Sequence, residues 1–185
     1  MDICQTIKGL QSLSDVEIDK PSGLPRVVEN QCLPDDLQLF YEKFGGVTLF
    51  PHAENTYRIV QPQEFKLANP ILIADEELLE LELNRGNTQL LFTSECYVLV
   101  DLGDANYIVI DLNKERHGLC YLGFWDSFGV IGETPIIAKS FKELLQKMIE
   151  SEGEEVWFFE KEDFQDYGDA FIVAGVEEFD PDNID

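Results

Sequence analysis

Apolar residues recur at helical spacing in three stretches of the chain. Ile3, Ile7, Leu10, Leu13 and Val16 form the first stripe and predict a helix from Asp2 to about Val16. Pro21, Gly23 and Pro25 then break the pattern. A second helix is predicted to start near Leu33-Pro34-Asp35-Asp36, where proline suits a first turn and two aspartates face the positive end of the helix dipole. Leu37, Phe40, Tyr41 and Phe44 fall on one side of it, and Gly45-Gly46 end it. The third helix follows Ser140, an N-cap, and carries Phe141, Leu144, Leu145, Met148 and Ile149, with Glu143 placed to complete a capping box.

Between the second and third helices the pattern shortens to runs rich in branched and aromatic residues. Strands are predicted at residues 47–50, 57–60, 89–92, 97–101, 107–111 and 119–122. Residues 97–111 read as an antiparallel hairpin turning at Gly103-Asp104-Ala105-Asn106. Residues 67–83 carry both signals: Ile71-Leu72-Ile73 suits a strand, while 75–83 has helical spacing, and the boundary stays open.

Composition narrows the function. Of 185 residues, 44% are hydrophobic and 11% aromatic, enough apolar area for one sizeable core, so residues 1–185 are read as a single domain. The 37 acidic against 13 basic side chains leave a formal charge of −24. Such a chain repels phosphate backbones and anionic membrane surfaces, so neither direct nucleic-acid binding nor a membrane role is expected. A basic protein or a multivalent cation remains attractive, and charge that serves solubility alone is the plainer alternative. The four scattered cysteines suggest neither a disulfide framework nor a zinc site, and the start Met1-Asp2-Ile3-Cys4-Gln5 lacks a signal-peptide pattern. A cytoplasmic location is expected.

The charge is uneven along the chain. Residues 150–185 hold fourteen acidic side chains and one lysine, a net of −13, against −11 for the first 149 residues. Val156, Trp157, Phe158, Phe159, Phe164, Tyr167, Phe171, Ile172 and Val173 interleave with those acids, which a purely solvating tail would not do. Packing of these aromatics on the domain's own core is the favoured reading, and it leaves their acidic neighbours as an interface.

Catalytic chemistry finds little support. No nucleophile elbow, phosphate loop, dinucleotide fingerprint or H-E-x-x-H occurs. His52 and His117 sit in turn-like settings without a second metal ligand near in sequence; a surface role is preferred to catalysis, with a spatial pair of His117 and Cys120 or Cys96 the residual alternative. Residues 180–185 begin like a calcium loop but lack its glycine and later glutamate, so a frayed acidic terminus is preferred. No cofactor and no metal are expected, and the protein is read as a non-enzyme.

Three pieces in order carry a family resemblance: Leu33-Pro34-Asp35-Asp36-Leu37 with Phe40-Tyr41 and Phe44-Gly45-Gly46; then the run from Tyr107 to Asn113 with Gly118-Leu119-Cys120-Tyr121; then Ile137-Ala138-Lys139-Ser140-Phe141 through Leu145. Over residues 30–149 the chain resembles the SMI1/KNR4, or SUKH, superfamily. The resemblance implies an α+β domain with a twisted, mostly antiparallel sheet flanked by helices. Bacterial members are similar to immunity proteins that neutralise toxins, often nucleases, and fungal relatives act as regulatory adaptors; no catalytic residues are implied. The segment 150–185 departs from the family pattern, either as a specificity element or as a helix and strand completing the sheet edge.

The expected function is therefore stoichiometric binding of a basic partner, a cognate toxin domain, with a regulatory adaptor of cellular proteins as the alternative. The expected partner-binding residues are the carboxylates Glu152, Glu154, Glu155, Glu160, Glu162, Asp163, Asp166 and Asp169, with Trp157 and Phe159 as aromatic anchors. Trp125 and Asp126 open a second candidate surface, in a loop whose aromatics alternatively serve as lids on the core.

Overall fold

The computed structural model describes residues 3–73, 92–154 and 156–175. Their order is α1 (Ile3–Ser12), β1 (Val16–Asp19), α2 (Asp35–Lys43), β2 (Gly46–Leu49), β3 (Tyr57–Ile59), α3 (Asn69–Leu72), β4 (Cys96–Gly103), β5 (Asn106–Asp111), β6 (Cys120–Gly123), β7 (Ile136–Ala138), α4 (Phe141–Glu150), a 3-10 turn (Phe158–Glu160) and α5 (Ala170–Val173). The seven strands pair in sequence order, every pair antiparallel. The fold is thus α+β, as the resemblance implied.

Alternation along the strands sends side chains to two cores. Tyr97, Leu99, Ile108, Ile110, Cys120 and Ile137 pack with α1, α2 and α4 on one face. Val98, Val109, Tyr121 and Ile136 meet Leu72, Phe92, Phe128 and Phe171 on the other. On the helical face Phe40 lies edge-on to Phe141 at 5.0 Å, joining α2 to α4. Asp36 adds a polar tie, accepting from its neighbour Leu37 N–H at 2.9 Å and from Lys142 N–H in the first turn of α4 at 2.7 Å.

Several expectations are corrected. The first helix stops at Ser12, and Val16 opens β1 instead of closing the stripe. Ile71 and Leu72 lie in the short helix α3, and only Ile73 is extended. α2 ends at Lys43, ahead of the glycines, and Pro34 stands at its N-cap position. Gly45 is needed for close approach: a Cβ there would lie 2.1 Å from the Lys20 carbonyl oxygen. The capping box is half formed: Ser140 Oγ accepts from Glu143 N–H at 3.2 Å, but the Glu143 carboxylate reaches Lys139 N–H, one residue further back. Of the strand expected at 89–92 only Phe92 is described, and it lies in a helical turn; the helical spacing at 75–83 and the terminal run 180–185 fall outside the described residues.

Candidate functional site

The segment after α4 is built into the molecule. Ser151 is buried and its hydroxyl donates to the Met148 carbonyl at 2.7 Å. Glu152 and Gly153 then adopt positive φ, 53° and 72°, and turn the chain sharply. Gly153 lies so close to Phe50 that a Cβ would come within 2.8 Å of its ring. Beyond this turn Trp157 packs edge-on to Tyr57 of β3 at 4.7 Å, and Phe158 N–H donates to the Tyr57 hydroxyl at 3.0 Å. Phe158 is buried against Phe164, and Trp157 and Phe159 stack on one another at 6.0 Å.

Further on, the segment covers the free edge of β7. Ile136 N–H donates to the Gly168 carbonyl and Tyr167 N–H to the Ile136 carbonyl, both at 2.9 Å. Asp169 secures the following turn: one oxygen accepts from Thr134 N–H at 2.8 Å, and the other caps α5 through Phe171 and Ile172 N–H. Phe171, fully buried, packs on Phe92 at 4.2 Å.

The expected site residues separate on this scaffold. Glu152, Glu154, Glu160, Glu162, Asp163 and Asp166 are exposed, Asp169 is part-buried, and Glu155 lies outside the described residues. Glu154 is paired with Lys161 at 2.8 Å; the other five exposed carboxylates make no ion pair with a described residue. Trp157 and Phe159 are half-buried. In the 124–128 turn Phe128 closes the core, whereas Trp125 is 64% exposed and Asp126 exposed. Phe124 lies 6.3 Å from Phe159, which brings this turn against the segment.

The cations beside the segment are already engaged. Lys147 bridges to Glu143 at 3.0 Å, donates to the Ile137 carbonyl at 2.8 Å and sits over the Phe164 and Tyr167 rings. Lys139 lies over Tyr167 at 4.1 Å. Glu143 also accepts from the Tyr167 hydroxyl at 2.6 Å; burial opposes its ionisation, but these hydrogen bonds outweigh it and hold the carboxyl below its usual value. Lys139 and Lys147 are thus engaged within the fold, and five of the segment's six exposed acids make no ion pair with a described residue.

His117 Nε2 lies 2.9 Å from the Cys32 carbonyl and 3.8 Å from its sulfur, not beside Cys120 or Cys96 as the residual pair required. Burial pushes both of those thiols well up, away from nucleophilic character. Among the described residues no group of three or more His, Cys, Asp or Glu is placed to hold a metal ion, and no helix is long and apolar enough to cross a membrane. Asp15, Glu17 and Asp19, an acidic alternation that begins in the bend before β1 and continues along it, are a feature missing from the sequence-based expectations. The period-two pattern D-V-E-I-D was its signal, masked by extending the helical stripe to Val16.

Immunity protein YokJ of Bacillus subtilis (strain 168) is 39% identical over 177 residues, covering 96% of this chain and all of that protein. No solved structure matches. The model of the SMI1 / KNR4 family (SUKH-1) matches residues 30–147, from the approach to α2 through most of α4, the span on which the helical face of the sheet is built. The chain belongs to the SMI1/KNR4 (SUKH-1) family.

Proposed function

We propose that the chain is an immunity protein that neutralises a basic toxin domain by stoichiometric, non-catalytic binding in the cytoplasm. The observation that carries this reading is the extent of the likeness to Immunity protein YokJ: 96% of the chain is covered, so most of the 150–185 segment lies within it as well as the family core. The segment's exposed carboxylates supply the docking face, with Trp157 and Phe159 beside them and Trp125 at the neighbouring turn. A cationic partner, a nuclease-like domain among the candidates, is drawn in quickly by such a face, and speed decides protection against a toxin.

The test is protection in cells. The chain is produced together with a basic toxin domain encoded beside its gene, and survival is scored. Survival that is lost when Glu152, Glu160, Glu162, Asp163 and Asp166 are changed to the matching amides supports the reading. Death despite full production of the unaltered chain, or survival indifferent to those changes, contradicts it. In the first case the regulatory adaptor becomes the better account.

A further inference from the structure

The two edges of the sheet are treated differently. The β7 edge is closed by the chain's own Tyr167 and Gly168. The β1 edge is bare: residues 17–24 are all exposed, and none of the described residues hydrogen-bonds to the outer side of β1. Phe50 N–H donates to the Asp15 carbonyl and Gly45 N–H to the Asp19 carbonyl, and the register runs from Val16 opposite Leu49 to Asp19 opposite Gly46. By antiparallel alternation the backbone of residues 15, 17 and 19 addresses β2, and the N–H and C=O groups of Val16 and Ile18 point outward. An open edge of this kind is a template for another strand.

Charge selects the occupant. Glu17 and Asp19 share one face of β1, and Asp15, whose carbonyl accepts from Phe50 N–H, extends their alternation from the preceding bend. The cross-strand row on that face runs Glu17, Thr48, Arg58, Asp101. Its cation, Arg58, is already taken by Asp101 at 2.7 Å and Glu64 at 2.8 Å, and Glu17 makes no ion pair with a described residue. A second copy of the chain does not fit. Twofold pairing through the outward groups of residues 16 and 18 aligns odd positions with odd positions in every register, setting carboxylate against carboxylate. A strand with lysine or arginine at alternate positions places a cation opposite each acid. The edge is also continuous with the acidic segment, because Phe50 bonds Asp15 on one side and packs Gly153 on the other.

We propose that β1 is the docking edge for an extended strand of the basic partner, which joins the sheet beside Val16–Asp19 and sets its alternate lysines or arginines against Asp15, Glu17 and Asp19. This rests on, and sharpens, the reading of the protein as one that binds a basic toxin domain.

The direct experiment is amide exchange by NMR on the full-length protein, with a cyclic hairpin peptide whose docking strand alternates lysine with valine and a glutamate–valine hairpin as control. Exchange at Val16 and Ile18 slows by about tenfold or more with the lysine hairpin and is unchanged with the control. Ile18→Pro removes an outward donor that the isolated fold does not use, and weakens lysine-hairpin binding by about tenfold. Protection confined to residues 152–166, equal protection by the glutamate hairpin, or a twofold dimer of the free chain through β1 overturns the proposal. The exchange measurement on the unaltered protein decides the matter even if the proline variant folds poorly. Should Ile18→Pro protect cells from the toxin as well as the unaltered chain does, while the segment's amide variants fail, strand addition is wrong and the immunity reading stands. Should the unaltered chain give no protection, the immunity reading fails instead.

Discussion

A fully buried carboxylate survives folding only when its charge is met, and Asp111 shows the arrangement. Arg116 Nε donates to one oxygen at 2.7 Å and the Tyr121 hydroxyl to the same oxygen at 2.8 Å, while Asn113 N–H reaches the other at 2.7 Å. Arg116 in turn lies 3.9 Å over the Phe92 ring and donates to the Phe92 carbonyl. Asp111→Ala strands that guanidinium, and chemical denaturation is expected to show a loss of about 3–5 kcal/mol. Breaking the more exposed Arg58 pairs with Arg58→Ala costs about 1 kcal/mol or less in the same assay. Glu143 gives a pH signature. Its folded value lies below the ordinary 4.5, so its stabilisation is present above that value and is lost as pH falls through the depressed one. Melting curves of Glu143→Gln should therefore lie below those of the unaltered chain near neutrality and converge with them in acid. A constant gap at all pH values would assign the residue a purely steric role. None of these partnerships was legible in the sequence, because Asp111 and Arg116, or Glu143 and Tyr167, meet only after the strands and the segment have folded.

At the scale of elements, legibility followed the length of the pattern. α2, α4 and the β4–β5 hairpin present several turns or alternations each, and the sequence announces them. β1 and β7 do not announce themselves. β1 has four residues, two of them acidic, and begins on an apolar residue that also fits the preceding helical stripe; β7 has three residues, all buried, whose outer partner lies thirty residues later at 167–168. The aromatic segment was legible as something that packs, and its attachment to β7 fits one of the two roles the sequence left open for it. Adjacent residues in α5 measure that attachment. Phe171 is fully buried and Ile172 is 62% exposed, so Phe171→Ala is expected to cost about 3–5 kcal/mol and Ile172→Ala within about 0.5. Equal effects in thermal unfolding would show that α5 does not dock on Phe92.

At the scale of the whole molecule, a formal charge of −24 on 185 residues is a standing repulsion that the folded chain sustains by burying few of its acids. Five exposed carboxylates of the segment make no ion pair with a described residue, and Asp15, Glu17 and Asp19 alternate along the β1 edge and the bend that precedes it. Long-range attraction of a cationic partner acts before contact and is screened by salt, whereas the buried contacts that hold the final complex are not. Electrostatic capture is tested most directly by the ionic-strength dependence of the association rate between this chain and the proposed basic toxin domain, measured by stopped flow. Raising salt from about 50 to 500 mM is expected to slow association by about tenfold or more with a smaller change in dissociation, and amides at Glu152, Glu160, Glu162, Asp163 and Asp166 are expected to flatten this dependence. An association rate indifferent to salt, or a dependence untouched by those amides, would contradict it.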